Sequence, residues 1–538
     1  MKIVTSDCDH NLIQFPNTWL EEVSDFSEGS SVLSGAEQVV PCSFDASQIV
    51  KQDNFEPCTS AVTVVPVIPI SPIVSRSPSP ASRKSESNFD FNYNNEQNGK
   101  AVSGVELLKT SDIVDNLTNS LYHCAKPVFN AAAGTPIESV LSEFIQRGEE
   151  SAFYLVDLGS IIMKYFEFVR QLPRIKPHYA VKCNPDERVI LILAKLGCNF
   201  DCASKAEISL VNSCGVSSDR IIYANPCKPE KHLRYAIEHG VDWVTFDNKD
   251  ELEKISRVSP KIRAVLRIAT EDHDSLCPLS TKFGALPDEV TELLLLAKYL
   301  GVHVEGVAFH VGSGCRSVQT YIRALYQARE IFNLAESLGM EPFRLLDIGG
   351  GFPGYDGESP ITFYNICCGI RDTIDSLFPI DQVKVIAEPG RYFVSSAFTL
   401  VTRIIARRFR TQIQEGGNSF LKAGFCLQED ISHSDLVADY YIDDGVYGSF
   451  RDVVSLGVAF YPKTFTCSNA AIDYSRFIRS CVFGPTCDSI DCIIRNYPLP
   501  ILEVGDWLYF TNMGAYTVSL ASSFNGFSCP SIKYVCAL

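Results

Sequence analysis

Residues 177–184 read Pro-His-Tyr-Ala-Val-Lys-Cys-Asn, and the way this stretch ends decides what kind of fold follows. Tyr179-Ala180-Val181 is an apolar run of strand type, closed by Lys182 and then by Asn184-Pro185, a strand-to-loop stop. An ammonium at the C-terminal mouth of a buried strand is costly to desolvate unless it is paired or neutralised. Two readings stand at this point. Lys182 either leaves the sheet for solvent, or sits in a half-dry pocket that lowers its pKa and makes its amine a nucleophile towards an aldehyde.

Outward from this stretch the same theme recurs. Short apolar runs ending in a polar residue or glycine occupy residues 178–182, 199–204, 220–225, 242–247, 263–268, 304–310, 344–351 and 384–390. Segments with helical spacing, such as 187–196, 205–213, 230–239 and 289–300, separate them. Runs alternating with helices in this way predict an α/β fold, a closed parallel (β/α)8 barrel of the TIM type, with an open doubly wound sheet as the alternative. Such a barrel carries its functional groups at the C-terminal ends of its strands. Lys182, Asp201, Asn225, Arg267, His310, the Gly349-Gly350-Gly351 run and Glu388 all fall at or near one.

The flanks read differently. Residues 1–105 form a Pro/Ser-rich and Asn-rich tail without a core-forming period, which predicts disorder. Residues 106–156 end in a strand-like run at 152–156 and are expected to join a β domain; 157–396 make the barrel. After Tyr392, alternating runs at 398–405, 439–442, 507–511 and 532–536, broken by Gly, Asp and Pro turns, predict a β-rich domain over 397–538.

Composition narrows the partners. The chain of 538 residues is 46% hydrophobic, ample for a large core, and its net charge of −17 argues against nucleic acid or an anionic membrane surface. No apolar stretch reaches the roughly 20 residues that span a bilayer, and the first ten residues lack the apolar core of a signal peptide. The 20 cysteines lie scattered through apolar segments, with no CxxC pair and no histidine cluster at metal spacing, so they are expected to be reduced thiols of a cytoplasmic protein without a metal site.

At the barrel mouth the residue types converge on one chemistry. Three glycines after Leu345-Leu346-Asp347-Ile348 let backbone N–H groups approach an anion, and Arg391 in Glu388-Pro389-Gly390-Arg391 can hold a phosphate. Glu388 then faces a ring nitrogen, and His310, on an apolar strand, stacks on an aromatic ring. A phosphate, a pyridinium and an aldehyde-seeking amine together suggest pyridoxal 5′-phosphate.

The motifs 179–184, 200–207, 310–314, 347–354, 388–391, 484–488 and 512–517 resemble those of the eukaryotic ornithine decarboxylase family, pyridoxal-phosphate-dependent lyases of polyamine biosynthesis that make putrescine. The likeness runs in order through residues 110–538 and leaves the tail unmatched. It implies that Lys182 binds the cofactor aldehyde, His310 stacks on the ring and Glu388 meets its nitrogen. Ser313, Gly350, Gly351, Pro389, Gly390, Arg391 and Tyr516 would hold the phosphate, with Asp201, Glu207 and Arg267 supporting the ring and Lys182. It further implies that Cys487 returns a proton to Cα and Asp488 binds the substrate's distal amine. The site would be shared in a homodimer, Cys487, Asp488 and Phe524 reaching in from the partner chain, with Lys282 bridging to Asp491 of that partner. Two further outcomes go with the family: binding of its protein inhibitor, antizyme, and non-catalytic relatives that only bind antizyme.

One place departs from the family. After Asp444-Gly445-Val446-Tyr447-Gly448-Ser449-Phe450 the family sets a Tyr-Asp pair whose carboxylate faces the distal ammonium; here those positions are Ser455 and Leu456. Three outcomes follow from that exchange. Asp443, Asp435 or Asp452 takes over and ornithine is still used; the substrate becomes a longer diamine precursor such as lysine; or it becomes an apolar amino acid.

Overall fold

The computed structural model describes residues 128–132, 134–415, 418–423, 436–466 and 472–537. The tail expected over residues 1–105 and the carboxylate of Asp435 lie outside the described residues.

Eight strands close a parallel barrel: β3 (Ile175–Ala180), β4 (Asn199–Cys202), β5 (Ile221–Tyr223), β6 (Trp243–Phe246), β7 (Arg263–Ile268), β8 (Val304–Phe309), β9 (Leu345–Asp347) and β10 (Lys384–Ala387), preceded in the chain by β1 (Val128–Ala131) and β2 (Phe153–Asp157). Strand β10 pairs with both β9 and β3, which closes the ring. Period-two alternation sorts the side chains. Outward residues such as Tyr179, Phe200, Val244, Leu266 and Val307 join the large core under the helices. Inward ones make a small interior layer of Ile222, Trp243, Val265, Ala308, Leu345 and Ile386. Above that layer, towards the C-terminal strand ends, the inward positions turn polar and form the mouth.

The run at 178–182 does not stay extended to its end. Strand β3 stops at Ala180, and Val181–Cys183 form one 3-10 turn. The carbonyl of Cys183 leaves the ladder to accept from the Tyr516 backbone N–H at 3.0 Å and the Ser519 hydroxyl at 3.1 Å. Lys182 is thereby set on a turn that the second domain holds in place.

That domain is a ten-stranded sheet. Its strands are β1, β2, β11 (Phe398–Glu415), β12 (Asn418–Ala423), β13 (Leu436–Ile442), β14 (Lys463–Phe465), β15 (Phe477–Phe483), β16 (Cys492–Pro500), β17 (Trp507–Phe510) and β18 (Ser531–Ala537). The order β1-β18-β2-β11-β13-β15-β16 threads the segment before the barrel between strands that follow it. Asp443 fastens the join, accepting from the Ala152 N–H at 2.7 Å and the Arg403 N–H at 2.8 Å. Among the described residues no helix is long and apolar enough to cross a membrane, and no group of His, Cys, Asp and Glu is placed to hold a metal.

The loops after β5 and β6 are locked by a fully buried lysine. Lys228 Nζ reaches Asn225 O at 3.0 Å, Thr245 O at 2.6 Å and Glu251 Oε1 at 2.9 Å, while Glu251 is also bonded by Lys254. Removing one member of a buried pair strands the other charge, at a cost of about 3–5 kcal/mol. Lys228→Met is expected to lower the unfolding free energy by that order, read from urea denaturation of the full chain.

Candidate active site at the barrel mouth

Lys182 lies at the floor of a cleft of about 300 Å³ whose walls include His310, Gly350, Glu388, Arg391 and Tyr516. Its Nζ pairs with Asp201 at the end of β4, a carboxylate with no solvent exposure. Burial works against charge on Lys182, but Asp201 and Glu388 outweigh it and hold the ammonium above the ordinary lysine range. This corrects the expectation of a lowered pKa: before anything binds, the amine is masked as a buried ion pair.

The carboxyls are crowded. Asp201, Asp347 and Glu388 face the two cations Lys182 and Arg267. Burial pushes Asp347 up to about 7. Burial, then Asp201 and Asp347, push Glu388 well above the carboxylate range. One oxygen each of Asp201 and Asp347 is buried without a hydrogen-bond partner. This mouth holds surplus acid waiting for a cation.

His310 is neutral. Burial, with Arg267 and Lys182 adding, drives its pKa well below the usual value. The Gly312 N–H donates to His310 Nδ1 at 3.0 Å, which leaves the proton on Nε2. A Cβ at Gly350 would stand 2.9 Å from that nitrogen and 2.8 Å from Glu388 O, so only glycine keeps the cleft open here.

The anion end is built from three loops. Arg391 Nη2 donates to Ser313 Oγ at 3.3 Å, Nη1 pairs with Glu358 at 3.0 Å, and its Nε is buried without a partner. The guanidinium lies 5.2 Å over the Tyr516 ring, and Tyr516 takes a left-handed backbone (φ 57°). Gly351 sits against Gly312 and Tyr321, and Gly390 against Cys183. Pro389 O accepts from the Ala180 N–H at 3.3 Å. Glu207 stands one shell back, accepting from the Ala203 N–H at 2.6 Å behind Asp201, and Arg267 lies over Phe283. The sequence reading missed Glu358, because a loop carboxylate 33 positions from Arg391 carries no periodic signal. It also gave no role to Asp347, although its motif was in view.

These groups fit pyridoxal phosphate. The spare Arg391 Nε and the glycine-lined end suit a phosphate, the surplus carboxyls suit a protonated ring nitrogen, and the neutral imidazole suits an aromatic face.

Cys487, Asp488 and Phe524 are not brought to this cleft within the chain. They are exposed and gather around Tyr447, whose hydroxyl bonds Asp488 and whose ring centroid lies 4.4 Å from that of Phe524. The bond from Tyr447 holds the Asp488 carboxyl below the usual range, so it stays charged. Ser455 turns its hydroxyl to Asp452 Oδ1 at 3.0 Å, and Leu456 is half-buried. Asp491 corrects an expectation. It is buried in its own chain, where Val446 N, Thr486 N and Thr486 Oγ1 saturate its carboxylate at 2.8, 3.0 and 2.6 Å, instead of standing free for Lys282 of a second chain.

Barrel, mouth and anion cradle together define a pyridoxal-dependent decarboxylase, and residues 158–395 match the family model described as "Pyridoxal-dependent decarboxylase, pyridoxal binding domain". Ornithine decarboxylase of Mus musculus is 44% identical over 400 residues, 74% of this chain and 84% of that protein. Antizyme inhibitor 2 of Xenopus laevis is 44% identical over 399 residues, with the same coverage. The crystal structure of the Paramecium bursaria Chlorella virus arginine decarboxylase superposes with a TM-score of 0.66 at 35% identity, covering 74% of this chain and 100% of that one. The chain belongs to the ornithine decarboxylase family, and its cofactor is pyridoxal phosphate.

A carboxyl whose pKa folding raises keeps a proton that the unfolded chain has released, so its contribution to stability falls as pH rises. For the cofactor-free protein, stability is therefore expected to drop from the ordinary carboxylate range through about pH 7, where Asp347 titrates. Asp347→Asn should flatten that slope in urea unfolding curves taken at about pH 5 and about pH 7.5.

Proposed function

We propose that the protein decarboxylates a basic amino acid, with L-ornithine giving putrescine and CO2 as the leading reaction. The observation that carries this reading is the Lys182–Asp201 pair set beside Glu388 in one cleft with the Arg391 cradle. When bound, pyridoxal phosphate supplies the aldehyde for the substrate amine and the ring that draws off the electrons left by CO2. The chain's own residues do the rest. Lys182 provides the amine that holds the aldehyde, and Asp201 keeps it aimed. Glu388 holds a proton at the ring nitrogen; replacing it should lose several kcal/mol of transition-state stabilisation. His310 covers one face of the ring as a neutral imidazole, and Arg391, Ser313, Tyr516 and the glycines keep the phosphate.

Cys487 is the proton donor to Cα in this reading, and Asp488 receives the distal ammonium. Because both are exposed around Tyr447 and away from their own chain's cleft, the active unit is a two-fold homodimer in which each chain completes the other's site. A cytoplasmic setting accords with the free thiols at Cys183, Cys198, Cys202 and Cys487. The second reading, an antizyme-binding regulator, is favoured by the likeness to the Xenopus protein, but its identity equals that of the mouse enzyme. The intact Lys182, Asp201, Arg267, Cys487 and Asp488 favour the enzyme.

Incubation with an amino-acid mixture containing ornithine, lysine and leucine, with amines identified by mass spectrometry, is expected to yield putrescine as the dominant product. An apolar amine in first place, or no amine at all, overturns the reading. Mixing Lys182→Ala with Cys487→Ala chains should restore up to about a quarter of wild-type activity, through one complete site per two-fold heterodimer; no recovery under subunit exchange would mean self-sufficient chains.

A further inference from the structure

A basic substrate needs negative charge where its side chain ends, and the cleft's own chain has an isobutyl group, Leu456, at that rim. Two of the nearby carboxylates are already committed. Asp443 is saturated by the backbone of Ala152 and Arg403, deep in the sheet domain. Asp444 is buried with one oxygen accepting from Gly445 N at 2.8 Å and Ser449 N at 3.2 Å.

Asp452 is different. It is the second residue of the helix Arg451–Ser455 and precedes Leu456 by four positions, so the two share a face one turn apart. The turn is fixed, since Leu456 N and Val458 N both donate to Asp452 O at 3.1 Å, and the preceding Phe450 is buried 4.7 Å from the Phe510 ring. Its carboxylate accepts from the Ser455 hydroxyl and has no Lys, Arg or His within ion-pair distance among the described residues. It points towards the cleft rather than away. Its charge acts on Arg391 and on Cys277, whose backbone pairs with Ser313 at 3.0 and 3.1 Å beside the phosphate cradle. Half-buried, without a cation of its own and next to a cleft that takes an amino acid, this carboxylate has the surroundings of a ligand group.

We propose that Asp452 is the carboxylate by which each chain binds the distal cation of the substrate in its own cleft, set one helical turn behind Leu456. Leu456 then flanks the substrate's methylenes, and specificity for a basic side chain is kept by a different residue. The proposal rests on the reading of a basic-amino-acid decarboxylase. It also separates the outcomes left open by Leu456: the pocket selects a cation and not an apolar side chain.

Asp452→Asn keeps the volume and removes the charge. In the holoenzyme it should raise the KM for ornithine, and weaken putrescine binding measured by calorimetry, at least about tenfold. The visible absorption of the bound cofactor should be unchanged, since Asp452 is not part of the cradle. Adding Leu456→Asp to Asp452→Asn returns a carboxylate to the same helical face and should recover part of the lost affinity, which a merely misfolded variant would not. If the wild-type protein turns over ornithine, or lysine, and Asp452→Asn shifts neither KM nor diamine affinity by more than twofold, the proposal falls while the function stands. If the wild-type protein turns over no basic amino acid and binds no diamine, both fall together.

Discussion

The pairing of Lys182 with Asp201 under two further buried carboxyls is the constraint on which the rest of the molecule depends. An unpaired ammonium in that cleft would be expelled, and unpaired carboxylates would protonate. The barrel resolves the conflict by putting the three acids on three strand ends, β4, β9 and β10, where inward-facing positions meet at the mouth. The surplus acid leaves Glu388 short of a positive partner, and that shortage is what selects a cationic ring. A (β/α)8 frame supplies this arrangement because parallel strands deliver their C-terminal ends to one rim.

The sheet domain is part of the same device. The Asn184 side chain donates to Gly514 O at 2.9 Å, Tyr516 N to Cys183 O, and the Tyr534 hydroxyl to Asp186 at 2.6 Å, so the turn carrying Lys182 is anchored to strands and loops more than 300 positions away. Tyr516 brings its ring under Arg391 only by adopting a left-handed backbone, a conformation that side-chain-bearing residues hold when the surroundings impose it. The cofactor end of the barrel is therefore built by both domains.

Much of this was legible in the chain. The eight runs with helices between them foretold the barrel, because apolar period and strand-end residues are local signals. The mouth residues Lys182, Asp201, His310, Glu388 and Arg391 were found by the same rule of strand ends. What escaped was non-local. The exit of β3 into a turn at Val181 depends on a carbonyl bonded by Tyr516, the raised rather than lowered pKa of Lys182 depends on Asp201 and Glu388 together, and Glu358 finds Arg391 across a glycine loop. Strands β1 and β14 to β16 were missed because they are short, or carry Arg and Asn within their alternation, and owe their existence to sheet neighbours far along the chain.

Glu358 shows how the anion end is tuned. A bare Arg391 in a half-dry cradle would be drawn to any carboxylate within reach, including Asp347 and Glu388 in the same mouth. Glu358 takes one edge of the guanidinium and is itself tied down by Gly354 N, while Ser313 takes the other edge. The fork is thus held flat and at a fixed distance from the acids that must serve the ring. Its remaining Nε–H is left for a phosphate oxygen, together with the opening that Gly350 and Gly351 keep clear. Anion and cation are bound at opposite ends of one cleft, each end protected from collapsing onto the other by a partner of its own. That separation is what lets a single pocket hold a phosphate and a pyridinium at the same time.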